Sequence, residues 1–138
     1  MVKVKKELVK KNEVQNRERY PALSIERNED DYVYGVIKDL WFYEDKRFGG
    51  RRLGITIDVK DGAGEVWDAE LGQAIHEDNI SGTHTLFFRH SYVLKAFEDK
   101  APAEVIGQEV LIYNMGRGDR GYLYRVIIGD AVKNFVEE

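Results

Sequence analysis

Alternation of apolar and polar residues is the strongest constraint on how this chain folds. From Leu53 to Lys60, apolar residues occupy every second position and alternate with Gly, Thr, Asp and Lys. A repeat of two is typical of a β-strand with one buried face, since successive side chains point to opposite sides. Further β-type runs occupy 32–42, 65–71, 108–115 and 122–128. The sequence therefore predicts a mainly all-β protein.

The segments between these runs predict how the strands are connected. Residues 61–64 read Asp-Gly-Ala-Gly, which is typical of a hairpin turn, so 65–71 is expected to return as a third strand. Residues 72–82 are expected to form an irregular loop, and 83–88 a further short strand.

One short helix is expected before the last two strands. Ser91 is predicted to be the N-cap of a helix over 92–98, and Pro102 is expected to break the chain after it. The order strand, strand, strand, helix, strand, strand predicts a five-stranded Greek-key barrel of the OB-fold type. Another small barrel or a β-sandwich is compatible with the same order.

Length and composition set the domain organisation. The chain has 138 residues, is 43% hydrophobic and contains no Cys, which excludes a disulfide framework, a thiolate zinc site and a Cys nucleophile. The predicted division is a polar basic N-terminal extension (1–30), one barrel domain (31–130) and a short tail (131–138). No apolar run reaches the ~20 residues of a membrane span, and no signal-peptide core is recognised. We expect a cytoplasmic protein, or a viral protein inside its host cell.

Charge is distributed unevenly along the chain. The net charge is -4, but residues 1–20 hold seven Lys/Arg against three Glu, and the remaining chain holds 14 basic against 22 acidic residues. Any anion-binding surface must therefore be local, because the rest of the body repels phosphate.

Two basic connections are the candidate binding segments. Residues 46–52 carry four positive charges together with Phe48 and two glycines, and residues 116–121 carry Arg117 and Arg120. In an OB-fold the two connections would lie at the same mouth of the barrel. The alternative is that both are solvated turns. The G-x-G-x-x-G spelling of 116–121 does not indicate a dinucleotide site, since a strand rather than a helix is expected to follow.

Aromatic side chains near these connections are candidate platforms for base stacking. The alternative is that most of them belong to the core. The predicted nucleic-acid-binding residues are Lys46, Arg47, Phe48, Arg51, Arg52, Trp67, Tyr113, Arg117, Arg120 and Tyr122.

Acidic residues cluster between Asp58 and Glu70, which is compatible with a metal-dependent nuclease, although a solvated strand face is the simpler interpretation. The three histidines have no zinc-site spacing. No catalytic residue, metal site or cofactor is predicted.

Four short motifs are carried by the expected strands: Tyr34-Gly35-Val36-Ile37, Gly54-Ile55-Thr56-Ile57, the run from Ile106 to Ile112, and Gly121-Tyr122-Leu123-Tyr124. In these motifs residues 32–129 resemble small OB-fold single-stranded DNA-binding proteins of the phage and archaeal type. The resemblance implies binding through the faces of the second and third strands. It also implies that the first-to-second and fourth-to-fifth strand loops flank this surface.

The preferred hypothesis is non-catalytic binding of single-stranded DNA, with RNA as an alternative ligand. Replication or assembly proteins are expected as further partners, no membrane is expected, and an oligomer is compatible with the sequence. The alternative is a protein-interaction module, such as a subunit of a phage assembly or replication complex.

Overall fold

Seven β-strands dominate the computed structural model, which describes residues 2–3 and 18–137. The strands are β1 (Leu23–Ser24), β2 (Tyr32–Glu44), β3 (Arg51–Asp68), β4 (Gln73–Glu77), β5 (Gly82–Phe88), β6 (Glu109–Gly118) and β7 (Gly121–Ile128). Between β5 and β6 lie the helices α1 (Ser91–Glu98) and α2 (Pro102–Val105), and a 3-10 helix covers Gly129–Phe135. The prediction of a mainly β protein is confirmed. Most of the basic segment 1–20 lies outside the described residues.

The sheet is open and antiparallel rather than a closed five-stranded barrel. Its strands follow the order β1-β3-β2-β6-β7, and β4 and β5 each pair with β3. Within the described residues no ladder joins β5 to β7. Instead, the preceding segment lies along β5: Ala22 forms a parallel bridge with Thr85, and the Thr85 N–H donates to the Pro21 carbonyl at 3.1 Å. The expected closure is therefore absent from this part of the chain because residues 21–22 occupy the edge of β5.

Strand β3 is one continuous strand of 18 residues, so the predicted hairpin at 61–64 and the separate third strand at 65–71 are both wrong. The glycines that suggested a turn serve a close approach of backbones instead. A Cβ on Gly64 would lie 2.6 Å from the Ser24 carbonyl oxygen, and one on Gly62 would lie 3.1 Å from that of Tyr32. A glycine inside a strand can mark a close approach of two backbones as well as a turn, and the local sequence does not distinguish the two.

The true hairpin follows Asp68. The Gly72 N–H donates to the Asp68 carbonyl at 2.9 Å, and Gly72 has a φ of 66°. The Asp68 side chain accepts from the backbone N–H groups of Glu70 and Leu71 at 2.9 and 3.1 Å. Residues predicted as an irregular loop thus include strand β4, while the predicted strand at 83–88 is confirmed as β5.

Gly35 lies at an irregularity in the long strand β2. The register with β3 shifts between Tyr34 and Gly35, and a Cβ on Gly35 would lie 2.1 Å from the Asp58 carbonyl oxygen. A glycine inside a strand often marks such a bulge. Strand β2 pairs with β3 along its length and with β6 over residues 32–36.

The predicted helix is present, but its cap is not the predicted one. Ser91 is the first helical residue, His90 occupies the N-cap position, and no side-chain capping hydrogen bond forms there. Val93 and Phe97 face the core and are fully buried. Helix α1 ends at Glu98, and Pro102, which was expected to break the chain, begins the next helix, α2.

The core lies between the inward faces of the strands and α1. Its members include Leu23, Val33, Ile37, Leu40, Leu53, Ile55, Ile57, Leu86, Phe88, Val110 and Ile112. Residues 18–30 were assigned by sequence to the N-terminal extension, yet they contribute Leu23 and Ile25 to this core. Packing therefore begins before the predicted start of the domain at residue 31.

Candidate nucleic-acid interface

Asp45 builds the connection between β2 and β3. Its Oδ1 accepts from the backbone N–H groups of Arg47 and Phe48 at 3.0 and 3.1 Å, and its backbone pairs with Gly49 and Gly50. Both glycines have positive φ, at 76° and 88°, which glycine adopts without steric cost. The predicted basic loop is therefore a short, defined turn over residues 45–50.

The cationic side chains of this turn lie against aromatic rings or carboxylates. The Arg51 guanidinium lies 4.2 Å from the Phe42 ring centroid, and that of Arg47 lies 5.2 Å from the Phe48 ring. Arg52 Nε lies 3.6 Å from Asp45 Oδ2. Lys46 is exposed, and Phe48 is 75% exposed. Arg47 and Arg51 are exposed as well, and a guanidinium group in an exposed position can pair with phosphate.

Three rings form what we call the aromatic platform, on the outward face of β2 and β5. Phe87 meets both Trp41 and Tyr43 edge to face, with ring centroids 6.3 Å apart in each case. Gly54 is the cross-strand neighbour of both Trp41 and Phe87. A Cβ there would lie 2.3 Å from the Trp41 ring, so the missing side chain makes room for the indole.

Sequence reasoning missed Tyr43 and Phe87 and did not place Trp41 in the site. The usable signal is the spacing of Trp41 and Tyr43, which puts both on one face of a strand. Phe87 and Phe88 are adjacent, so one of them must point outward, and Phe87 is 49% exposed whereas Phe88 is 1% exposed.

A pocket of about 360 Å³ adjoins the platform, and we call it the arginine pocket. It is lined by Ser24, Glu26, Arg27, Tyr43, Asp45, Arg52, Phe87, Phe88 and Arg89. Three guanidinium groups and two carboxylates therefore face one concave surface with two rings of the platform. Burial raises the pKa of Glu26, and the charges of Arg89 and Arg52 oppose that rise.

The second predicted basic segment is a tight hairpin rather than a loop. Arg117 lies within β6 and pairs across the ladder with Tyr122, while Arg120 occupies the turn between Gly118 and Gly121. The Arg117 guanidinium lies 5.8 Å from the Tyr122 ring centroid, and the Tyr122 hydroxyl donates to the Arg27 carbonyl at 3.2 Å.

Contacts through His90 connect this hairpin with the arginine pocket. The Tyr122 ring centroid lies 6.4 Å from that of His90, and His90 Nε2 lies 3.1 Å from Glu26 Oε2. Burial, followed by the nearby Arg89, lowers the pKa of His90. Within the described part of the chain, no ion pair or hydrogen bond joins Arg117 or Arg120 to residues 45–52 directly. The two basic segments are therefore linked through Tyr122, His90 and Glu26.

Trp67 and Tyr113 lie in a different chemical environment. Trp67 is 66% exposed and lies near the end of β3, 15 residues beyond Arg52. The Tyr113 ring stacks on Tyr32 at 5.8 Å, and its hydroxyl donates to Asp30 at 2.9 Å. The structure thus places these two predicted residues away from the arginines of the turn.

An acidic pocket lies beside Tyr32, the ring on which Tyr113 stacks. It is lined by Asn28, Glu29, Asp30, Asp31, Tyr32, Ala63, Glu65, His76 and Asp78. Burial, with the carboxylate of Asp61, raises the pKa of Tyr32 to about 12. His76 Nε2 lies 2.7 Å from Asp31 Oδ1, and this bond raises the pKa of His76.

Residues 2–3 and 18–137 show neither a metal centre nor a membrane-spanning helix. In the described ranges, no group of three or more His, Cys, Asp or Glu side chains is arranged to hold a metal ion. The helices described there are too short and polar to cross a bilayer.

Comparison with known proteins gives no assignment. No protein-family model matches the chain, and a search of curated proteins finds no significant match.

Proposed function

We propose that this protein binds single-stranded DNA without catalysis, through the aromatic platform and the basic turn beside it. By the basic turn we mean residues 45–50 together with Arg51 and Arg52. The observation that carries the proposal is the outward position of Trp41, Tyr43 and Phe87 next to Arg52. Bases stack on exposed rings whatever their sequence, and guanidinium groups neutralise the phosphates between them.

An OB-like arrangement is part of the proposal, and the strand order supports it. The strands β6, β2, β3 and β5 are neighbours in that order, which is the Greek-key order of a fourth strand lying beside the first. The fourth strand returns after a long connection that contains α1 and α2. In OB-folds the second and third strands and the two adjoining loops carry the ligand. Here those elements are β3, β5, the turn at 45–50 and the hairpin between β6 and β7.

The proposed interface omits two of the residues predicted from sequence and adds four others. It keeps Lys46, Arg47, Phe48, Arg51 and Arg52, with Arg117, Arg120 and Tyr122 as the second side. It adds Trp41, Tyr43, Phe87 and Arg89, whose side chains adjoin the arginine pocket. It leaves out Tyr113, because the carboxylate of Asp30 beside it repels a phosphate backbone, and Trp67, because it lies near the far end of β3 from Arg52.

The test is binding of a fluorescent oligo-dT to the wild type and to two matched variants, measured by anisotropy at about 50 mM salt. Phe87→Ala removes a platform ring, whereas Phe135→Ala removes a similarly exposed ring elsewhere (49% against 47%). We expect Phe87→Ala to weaken binding about 5- to 100-fold, since one stacked base is worth about 1–3 kcal/mol. Phe135→Ala should bind like the wild type. Absence of binding by the wild type would refute the proposal.

A second candidate function is docking of a basic protein segment, and the acidic pocket favours it. Glu29, Asp30 and Asp78 line that pocket. Trp67 and Leu71 are exposed near the turn of the β3–β4 hairpin. Size exclusion of the purified protein, with the absorbance ratio checked for nucleic acid, separates the two functions. A protein complex free of nucleic acid favours docking, and co-eluting nucleic acid favours the first proposal.

A further inference from the structure

The carboxylates in the arginine pocket are unexpected for a surface that binds a polyanion. Glu26 and Asp45 face the same concave surface as Arg27, Arg52 and Arg89. A carboxylate repels phosphate and only accepts hydrogen bonds. Within the proposed function, the pocket therefore offers hydrogen-bond acceptors as well as cations, and it suits a group that donates hydrogen bonds.

Of the two carboxylates, Asp45 is already committed to the turn. Its Oδ1 accepts from two backbone N–H groups, and its Oδ2 lies 3.6 Å from Arg52 Nε. Replacing it would alter the loop itself.

Glu26 has more capacity for a ligand. Its side chain is 20% exposed, and its contact with His90 is made by Oε2 at 3.1 Å. In the described part of the chain, Oε1 of Glu26 makes no hydrogen bond or ion pair. Arg52 and Arg89 stabilise its charge against the effect of burial. Glu26 therefore presents an acceptor atom inside a pocket whose walls include Tyr43 and Phe87.

The volume and the walls fit one base of a strand. About 360 Å³ is within the range of about 300–1,000 Å³ for small-ligand sites. A base seated against Phe87 or Tyr43 would present its hydrogen-bonding edge to the polar side of the pocket. A carboxylate there accepts from the exocyclic amine of cytosine, whereas uracil and thymine present a carbonyl oxygen at that position.

We propose that the arginine pocket holds one base of the bound strand, and that Glu26 selects a base with an exocyclic amino group, such as cytosine. This inference rests on the proposed function and adds a base preference to it. The backbone of the strand then follows the basic turn outside the pocket, where Lys46, Arg47 and Arg51 are exposed.

The test uses two oligonucleotides of about 15 nucleotides, oligo-dC and oligo-dU, whose bases differ in the 4-substituent and in the proton that uracil carries on N3. Anisotropy titrations are run at mildly alkaline pH, where cytosine is unprotonated. We expect the wild type to bind oligo-dC at least about tenfold more tightly than oligo-dU, because a hydrogen bond to a charged acceptor is stronger than one between neutral groups.

Glu26→Gln is the matched variant, because an amide both donates and accepts and is close in size to the carboxylate. It should bind the two oligonucleotides within about twofold of each other. Circular dichroism establishes that the variant is folded, and the comparison of the two ligands on the wild type needs no variant at all.

The outcomes separate the two proposals. If the wild type binds both oligonucleotides equally, the base preference is refuted and the proposed function stands. If it prefers oligo-dC but Glu26→Gln keeps the same preference, the assignment to Glu26 is refuted. If it binds neither oligonucleotide, the proposed function fails and the inference fails with it.

Discussion

The two ends of β3 carry similar rings in opposite electrostatic surroundings. Near Arg51, the platform rings lie beside Arg52 and Arg89. Further along the strand, near Ala63, Tyr32 and Tyr113 stack on each other and donate to Asp61 and Asp30. Rings alone therefore do not define a nucleic-acid site, because only the first end also offers charges that neutralise phosphate.

The comparison also explains how a chain with a net charge of -4 can carry a cationic surface. The net charge is a sum that includes an arginine-rich end and a carboxylate-rich end, so it describes neither end by itself. Electrostatic attraction at one end acts within about 10 Å at ordinary salt, which is the Debye length. Local charge therefore decides binding more than the total does.

The strongest way to break the comparison is to reverse the charge of the basic end. Arg47→Glu with Arg51→Glu removes two proposed phosphate contacts and adds two repulsive charges. We expect affinity for oligo-dT to fall at least about 100-fold at low salt. The control is Arg125→Glu with Lys133→Glu, which changes the net charge equally at exposed positions elsewhere. Equal losses in both variants would mean that net charge, not the basic end, governs binding.

The next test concerns Gly54, which makes room for the Trp41 ring of the platform. Gly54→Ala places a methyl group where the Trp41 ring lies, so the ring or the strand must shift. We expect a loss of about 1–3 kcal/mol in the free energy of unfolding, measured in urea, as overpacking costs. Trp41→Leu in the same chain should relieve part of that loss. Two losses that simply add would show that Gly54 does not support Trp41.

The acidic end has its own pH-dependent element in the pair of His76 and Asp31. Since the folded-state pKa of His76 is raised, its contribution is complete below about pH 6.5, its unfolded value, and is lost as the pH rises through the folded-state pKa. His76→Gln should lower the free energy of unfolding by about 0.5–1 kcal/mol, a value reduced for screening because the side chain is 40% exposed. Urea titrations should show the larger loss at about pH 6 and the smaller at about pH 8. A loss that grows with pH would contradict this assignment.

The smallest effect is expected from weakening the repulsion at the acidic end. Glu77→Gln with Asp78→Asn removes two exposed charges beside the acidic pocket. Affinity for oligo-dT should rise about twofold at low salt, because long-range repulsion falls. The gain should vanish at about 0.5 M salt, where such distances are screened. A gain that persists there would point to a direct contact.

The strands themselves could be predicted from sequence, since alternation and β-type composition are local properties. Leu53, Ile55 and Ile57 are buried as the pattern requires. The continuation of β3 through 61–64, where a turn was predicted, could not be foreseen, because Gly62 and Gly64 are needed for the approach of β2 and β1, which are distant in sequence. The open sheet could not be predicted either, since it depends on where residues 21–22 pack.

The candidate site was predicted in part for the same reason. Charge runs are visible in sequence, so the arginines of the basic turn were found. The outward position of Phe87 depends on its register with Gly54 and Trp41 in neighbouring strands, which no local pattern reveals. Trp67 and Tyr113 were chosen by residue type, and the carboxylates around Tyr113 come from another part of the chain.

The length of β3 has a consequence for how the molecule opens. Its 18 residues pair with β1, β2, β4 and β5, so both ends of the sheet share one backbone. Amide protons at its centre, near Ile57, should exchange with solvent only when the whole fold is lost, whereas those of the peripheral β4 hairpin should exchange sooner. Strain introduced at the centre of β3 should then lower the stability of the whole sheet, whereas strain in the β4 hairpin should cause local fraying.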